Sequence, residues 1–163
     1  MDYLWTPWRY QFVSQASKET GCIFCQAAQL GDDARALIGH RGQKNFVILN
    51  LFPYTTGHSM IVPYAHVADL AACDSETLAE MMTLARRLQM ALGSLYHPQG
   101  FNVGMNLGRA AGAGVADHLH LHVLPRWTGD TNFMTTIAET RLEPEDVSVT
   151  YEKLHRALAE TSP

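Results

Sequence analysis

Between Asp117 and Arg126 the chain reads Asp-His-Leu-His-Leu-His-Val-Leu-Pro-Arg, with histidine and an aliphatic residue alternating strictly over 118–123. Successive side chains of a β-strand point to opposite faces. A strand here therefore sets His118, His120 and His122 on one face and Leu119, Leu121 and Val123 on the other. A helix would scatter the imidazoles around its circumference and leave the leucines without a common side. Spaced roughly 7 Å apart, three imidazoles in a row are poor filling for a core that could use valine. The segment predicts a strand with one face to bury and one titratable face kept for chemistry.

The flanking sequence supplies the other elements. Residues 34–39 and 45–50 read as strands, and Leu51–Gly57 as a turn punctuated by Pro53 and Gly57. His58–Pro63 returns as the second arm of a hairpin, so that Asn50 and His58 stand at the two rims of the turn. Residues 75–97 form the clearest helix: Asp74 and Ser75 are N-cap candidates and Glu76 is a first-turn acid. Leu78, Met81, Met82, Ala85, Leu88, Leu92 and Leu95 recur at helical spacing, with Arg86, Arg87 and Gln89 facing outward. Pro98-Gln99-Gly100 ends it. Phe101–Leu107 alternates as a further strand and runs into the glycine/alanine loop Gly108–Gly114, a loop type that lets backbone N–H groups approach an anion. Residues 144–160, with Val147, Leu154 and Leu158, read as a final amphipathic helix. This order implies an α+β fold with an antiparallel sheet, the long helix on one face and the histidines toward a cleft.

Length and composition narrow the role. The 163 residues suit one domain, with an arm over 1–20 and an extension over 127–163. A formal charge of −4 and the absence of Lys/Arg runs argue against nucleic acid as a partner. Apolar runs fall far short of the ~20 residues that cross a bilayer, so no membrane partner is expected. Met1-Asp2-Tyr3-Leu4-Trp5 lacks the basic-then-apolar plan of a signal peptide. The reducing cytoplasm is the expected location. The Trp5/Trp8 arm is read as packed on the domain or a second subunit, or, less simply, as a ligand-stacking element.

Two motifs carry chemistry. Cys22-Ile23-Phe24-Cys25 is a metal knuckle, a redox pair or inert packing. Redox pairs open a helix after a strand, a pattern missing before Cys22, and a metal would need two further ligands, histidine or carboxylate. Cys73 is most simply a small buried residue. The histidine strand admits hydrogen-bonded structural imidazoles, a metal shared within the strand, or a nucleophilic histidine beside an anionic substrate. A neutral imidazole, with a usual pKa near ~6.5, can attack phosphorus at cellular pH while its other nitrogen keeps a proton on an acceptor.

His118-Leu119-His120-Leu121-His122-Val123-Leu124 matches the His-φ-His-φ-His-φ-φ signature, and the chain resembles the histidine triad family of nucleotide hydrolases and transferases. Asn50 to His58, the Asn106 strand, the glycine-rich loop and Pro125-Arg126 follow the family's order over roughly residues 20–130. The flanks Trp5-Thr6-Pro7-Trp8-Arg9 and Trp127–Phe133 look like the bacterial branch acting on diadenosine tetraphosphate, including its phosphorylases. The resemblance implies a five-stranded antiparallel sheet of this family's type and cleavage at an α-phosphate. His120 would be the nucleophile and His122 a phosphate contact. Asn50 would meet the ribose, His58 would flank the pocket, Asn106 would hold phosphate oxygens, and Phe46 would belong to the base pocket, with Gly112 and Gly114 along the phosphates. It implies structural zinc on Cys22, Cys25, His66 and His118, no catalytic metal, and a homodimer or higher homo-oligomer. Alternatives are a purine nucleoside phosphoramidase and a non-catalytic nucleotide-binding protein. One departure stands out: relatives carry a Gln-Ser or Gly-Ser pair before the triad, where this chain has Ala113-Gly114. The missing hydroxyl implies a preference for leaving groups that are already good.

Overall fold

The computed structural model describes residues 21–130 and 145–160. The Trp5/Trp8 arm and Pro144 lie outside the described residues. Five strands, β1 (Ile38–Arg41), β2 (Asn45–Leu49), β3 (Ser59–Pro63), β4 (Gly100–Gly104) and β5 (Leu121–Arg126), form one sheet in the order β1-β2-β3-β5-β4. All neighbours are antiparallel. Two short helices, α1 (Ile23–Gln29) and α2 (Asp33–Ala36), precede the sheet, and the long α3 (Ser75–Tyr96) and C-terminal α4 (Val147–Glu160) complete it. This is the expected α+β plan. No described helix is long and apolar enough to cross a membrane.

Alternation along the strands divides the core in two. Val47, Leu49, Ile61, Leu119, Leu121 and Val123 face α3, meeting its buried stripe Met81, Leu84, Ala85, Leu88 and Leu92; Tyr151, Leu154 and Leu158 of α4 join the same cluster. On the opposite face Ile38, Phe46, Ile48, Met60 and Val62 pack with Phe24 of α1. The helix α3 starts where Asp74 accepts a 2.7 Å bond from the Thr77 N–H, which satisfies an orphan donor of its first turn. Two side chains of α3 tie it to distant segments. The Glu80 carboxylate accepts from the backbone N–H groups of Gln43, Lys44 and Asn45, clamping the β1–β2 turn. The half-buried Arg87, expected outside, donates to His40 at 2.9 Å and to the Leu158 carbonyl.

Several boundaries differ from expectation. Residues 33–36 form a helical turn, not a strand, because the Asp32 side chain caps the Arg35 N–H at 3.1 Å; the strand begins only at Ile38. The strand expected over 101–107 stops at Gly104, and β5 is assigned only from Leu121, although His118 to His120 continue its alternation. Met82, expected on the core face, is 59% exposed; Leu84 and Ala91 take part in the stripe instead.

Gly57 is the residue on which the hairpin turn relies. Its φ is +80°, and an added Cβ would lie 2.9 Å from Cδ2 of Leu92 and 3.3 Å from Cγ of Pro125. A left-handed L-residue costs about 1–2 kcal/mol before any clash. Gly57→Ala is therefore expected to lower unfolding stability by about 1–3 kcal/mol, read as a fall in the urea midpoint at constant slope. An unchanged midpoint would show that the turn has another conformation open to it.

Candidate active site

Four side chains from three separate segments converge at one end of the histidine strand. Cys22 and Cys25 flank the start of α1, His66 follows β3, and His118 precedes β5. The Cys22 sulfur lies 3.1 Å from His118 Nδ1, and the Cys25 sulfur 3.4 Å from His66 Nδ1 and 3.6 Å from His118 Nδ1. The two imidazole Nδ1 atoms are 3.2 Å apart, and all four donor atoms fall within 4.8 Å of one another. A tetrahedral ion bound by thiolate and imidazole at about 2.0–2.3 Å sets its ligands roughly 3.3–3.8 Å apart, so the cluster fits a metal of that kind. His118 Nε2 meets the Pro63 carbonyl at 2.9 Å. The carbonyl only accepts, so Nε2 carries the proton and Nδ1 turns its lone pair into the cluster.

The same reasoning assigns the proton on three further imidazoles, those of His120, His58 and His122, from their partners. His120 Nδ1 lies 2.8 Å from the His118 carbonyl and donates to it, which leaves Nε2 with a free lone pair. Tyr54 donates its backbone N–H to His58 Nδ1 at 3.1 Å. His58 therefore holds its proton on Nε2 and donates to His122 Nδ1 at 2.9 Å. His122 in turn carries its proton on Nε2, so an unprotonated ring nitrogen and an N–H donor stand side by side, with ring centroids 4.9 Å apart. Asn50 completes the rim: its Oδ1 accepts from Phe52 N–H at 3.0 Å, and its Nδ2 lies 3.3 Å from His58 Nδ1. Burial pushes the pKa of His118, His120 and His122 down, that of His122 to about 4. The triad is thus neutral at cellular pH, as attack by a ring nitrogen requires.

A groove of about 520 Å³ adjoins these rings. Two of its lining residues, Met60 of β3 and Ile48 of β2, stand opposite each other, and Met60 also stands opposite His122 of β5. Phe24 forms a wall common to groove and triad, with its ring 5.5 Å from His118 and 5.1 Å from His120. Asn50, Gly114 and Val115 border the histidine end. His120 itself is 6% exposed.

A family model for the HIT domain matches residues 36–129. The chain belongs to the HIT domain family. An AP-4-A phosphorylase of Mycobacterium tuberculosis is 38% identical over 150 residues, covering 87% of this chain and 76% of the relative. The adenosine 5'-monophosphoramidase hnt1 of Schizosaccharomyces pombe is 26% identical over 82% of this chain and 95% of its own length. Among solved structures, a Zn-bound histidine triad family protein of Mycobacterium smegmatis superposes with a TM-score of 0.70 at 32% identity, covering 86% of this chain and 94% of that one.

Within the HIT domain the residues singled out in the sequence are not all at the groove. Cys22, Cys25, His66 and His118 meet in one cluster, and His120, His122, His58 and Asn50 in another. Asn106 is half-buried two residues beyond β4; continuing the register from Gly104 opposite His122 brings it opposite His120. Gly112 closes the short turn Arg109–Ala111 with φ +88°, whereas Gly114 borders the groove. Phe46 is a correction: it is 0% exposed beneath the sheet face and does not line the groove, because Ile48, two residues on, takes the place in the row beside Met60. Phe24, Met60 and Tyr54 were not singled out as site residues. Phe24 had a signal in its position between the two cysteines, and Met60 in the alternation of β3.

The protonation of His122 links stability to pH. Its folded pKa of about 4 lies below the unfolded value near ~6.5, so between those limits the unfolded chain binds the extra proton. Stability is full above the upper limit and falls as pH drops through the window. Urea midpoints are expected to decline steadily from about pH 7 to about pH 5, with a shallower decline in His122→Gln. Equal slopes for the two proteins would remove His122 from the account.

Proposed function

We propose that this HIT domain cleaves diadenosine tetraphosphate at an α-phosphate through a nucleotidyl-His120 intermediate, with inorganic phosphate as the acceptor. The observation that carries the reading is the 2.8 Å bond between His120 Nδ1 and the His118 carbonyl, which leaves Nε2 unprotonated beside the groove. That nitrogen attacks the α-phosphorus; a P–N bond forms as the P–O bond to the departing polyphosphate breaks, and ATP leaves with the electron pair. His122 Nε2–H donates to an α-phosphate oxygen and opposes the charge gathering there. Phosphate then attacks the same phosphorus, the P–N bond breaks, ADP is released and His120 Nε2 regains its lone pair. With water as acceptor the second product is AMP. Asn50 takes the ribose hydroxyls, His58 holds His122 in its donor tautomer, and Asn106 with the backbone around Gly112 and Gly114 meets phosphate oxygens. Ala113-Gly114 offers no hydroxyl to protonate the leaving group, so a polyphosphate departs more readily than an amine. The similarity to the M. tuberculosis phosphorylase supports phosphorolysis.

Quenched reactions with α-labelled diadenosine tetraphosphate test this. Label is expected on His120, with ADP and ATP as products when phosphate is present. Activity should fall by at least about 10³-fold in His120→Ala, the scale of losing a nucleophile. AMP and ATP in the presence of phosphate would make the enzyme a hydrolase. Faster turnover of an adenosine phosphoramidate would favour the phosphoramidase reading, and nucleotide binding without turnover the non-catalytic one.

Zinc on Cys22, Cys25, His66 and His118 is part of the same proposal, supported by the donor spacing and by the Zn-bound M. smegmatis relative. It would order α1 and the loop before β5, while nucleotidyl transfer through His120 needs no catalytic metal on the protein. The chain would work in the cytoplasm as a single domain assembled into a homodimer, for which the edge strand β4 and the exposed Met82 and Met90 of α3 offer a surface. Native mass spectrometry is expected to give a dimer with one zinc per chain, and a metal-free protein for the Cys22→Ser/Cys25→Ser variant. A monomer, or another metal content, would remove the corresponding part.

A further inference from the structure

The groove changes character from end to end. From His122 of β5 the groove-lining Met60 of β3 and Ile48 of β2 stand in one row of strand partners, and two strand spacings of about 4.8 Å carry that row about 10 Å from the triad. The middle of the groove is lined by apolar side chains; polar ones stand only at the ends, Asn50 near the histidines and Gln26 and Arg35 on the two short helices. Arg35 is exposed on the rim. The acids beside it are engaged elsewhere: Asp33 pairs with Arg41 at 2.9 Å, and the Asp32 side chain caps the backbone of α2.

The backbone at this end is strained. Leu37, the C-cap of α2, has φ 57° and ψ 29°, a left-handed conformation that costs an L-residue about 1–2 kcal/mol. Its carbonyl accepts from Leu49 N–H at 2.9 Å, which holds the bend against β2. The bend lets Leu37 and Arg35 both border the groove. Such strain gathers where a ligand is clamped.

We infer that Arg35 is a specificity-determining residue that reads the outer edge of the base and favours guanine and hypoxanthine over adenine. This rests on the nucleotide reading above and extends it to the base. With the α-phosphate at His120 and the ribose at Asn50, the base lies over Met60, Ile48 and Leu37, and its far edge meets Arg35. Guanine and hypoxanthine present two adjacent acceptors, N7 and O6, that match the guanidinium fork; adenine presents N7 beside an amino donor, which opposes one arm of it. Because Arg35 is exposed, the preference falls at the lower end for such a contact, about tenfold in kcat/KM.

Diadenosine, diguanosine and diinosine tetraphosphates are compared on the wild-type enzyme, Arg35→Ala and Arg35→Lys. The wild type is expected to use the guanine and hypoxanthine compounds about tenfold better than adenine. Arg35→Ala brings all three within about threefold of one another, and Arg35→Lys, lacking the planar fork, keeps only part of the difference. Equal losses on every base, or no guanine preference in the wild type, overturn the assignment. Binding of GMP and AMP to His120→Asn, with and without Arg35→Ala, separates it from the cleavage reading. A GMP preference that disappears with Arg35 upholds the base contact even where no polyphosphate is split, and equal binding of the two nucleotides overturns it. An unaltered thermal midpoint for Arg35→Ala verifies that the comparison is between folded proteins.

Discussion

One backbone carbonyl organises the chemistry of this HIT domain. The oxygen of His118 takes the proton-bearing nitrogen of His120 at 2.8 Å and so decides which ring atom is left to react. His118 can hold its carbonyl there because its own ring is fixed at both nitrogens, one against the Pro63 carbonyl and the other toward the cysteines. Burial of the ring, at 1% exposure, makes any other arrangement unfavourable, since an unpaired ring nitrogen would be left without water. The His120 ring is thus oriented by main chain, and the main chain by a side chain two residues earlier.

The opposite face of the sheet makes this rigidity useful. Leu119, Leu121 and Val123 interleave with the histidines in sequence and pack against α3, so the triad cannot rotate or slip without extracting three core residues. A register shift by one residue would exchange the two sets. The strong patterning of this strand therefore serves chemistry through packing: apolar burial holds the strand, and the strand holds the rings in a line.

The sequence showed much of this, unevenly. The alternation of 118–123 was legible because period-2 patterning with one face buried has a single structural solution, and the 75–97 helix because it is long and capped. The α2 turn was misread as strand because four residues carry too little periodicity, and its stabilising contact is the cap from Asp32. The Cys/His cluster was legible only as a half, Cys22 and Cys25; pairing them with His66 and His118 depends on contacts 41 to 96 residues apart, and family resemblance, not spacing, supplied the other half. Phe46 was misassigned because alternation says which residues share a face but not which of them a covering helix leaves open. The proton relay from Tyr54 through His58 to His122 was illegible, since it begins at a backbone N–H that any residue could provide.

The two sides of the histidine row are unlike. Toward β3 stands Met60; toward β4 stands Gly104, where among the described residues no heavy atom would lie within 4 Å of an added methyl group. In the proposed reaction, a base seated over Met60 leaves the Gly104 flank to the rest of a long substrate. A symmetrical dinucleotide of the proposed kind presents an identical head at either end, so either end would serve as the one seated. A mixed one enters in two non-equivalent ways, and the head that is seated determines which of its two halves is transferred.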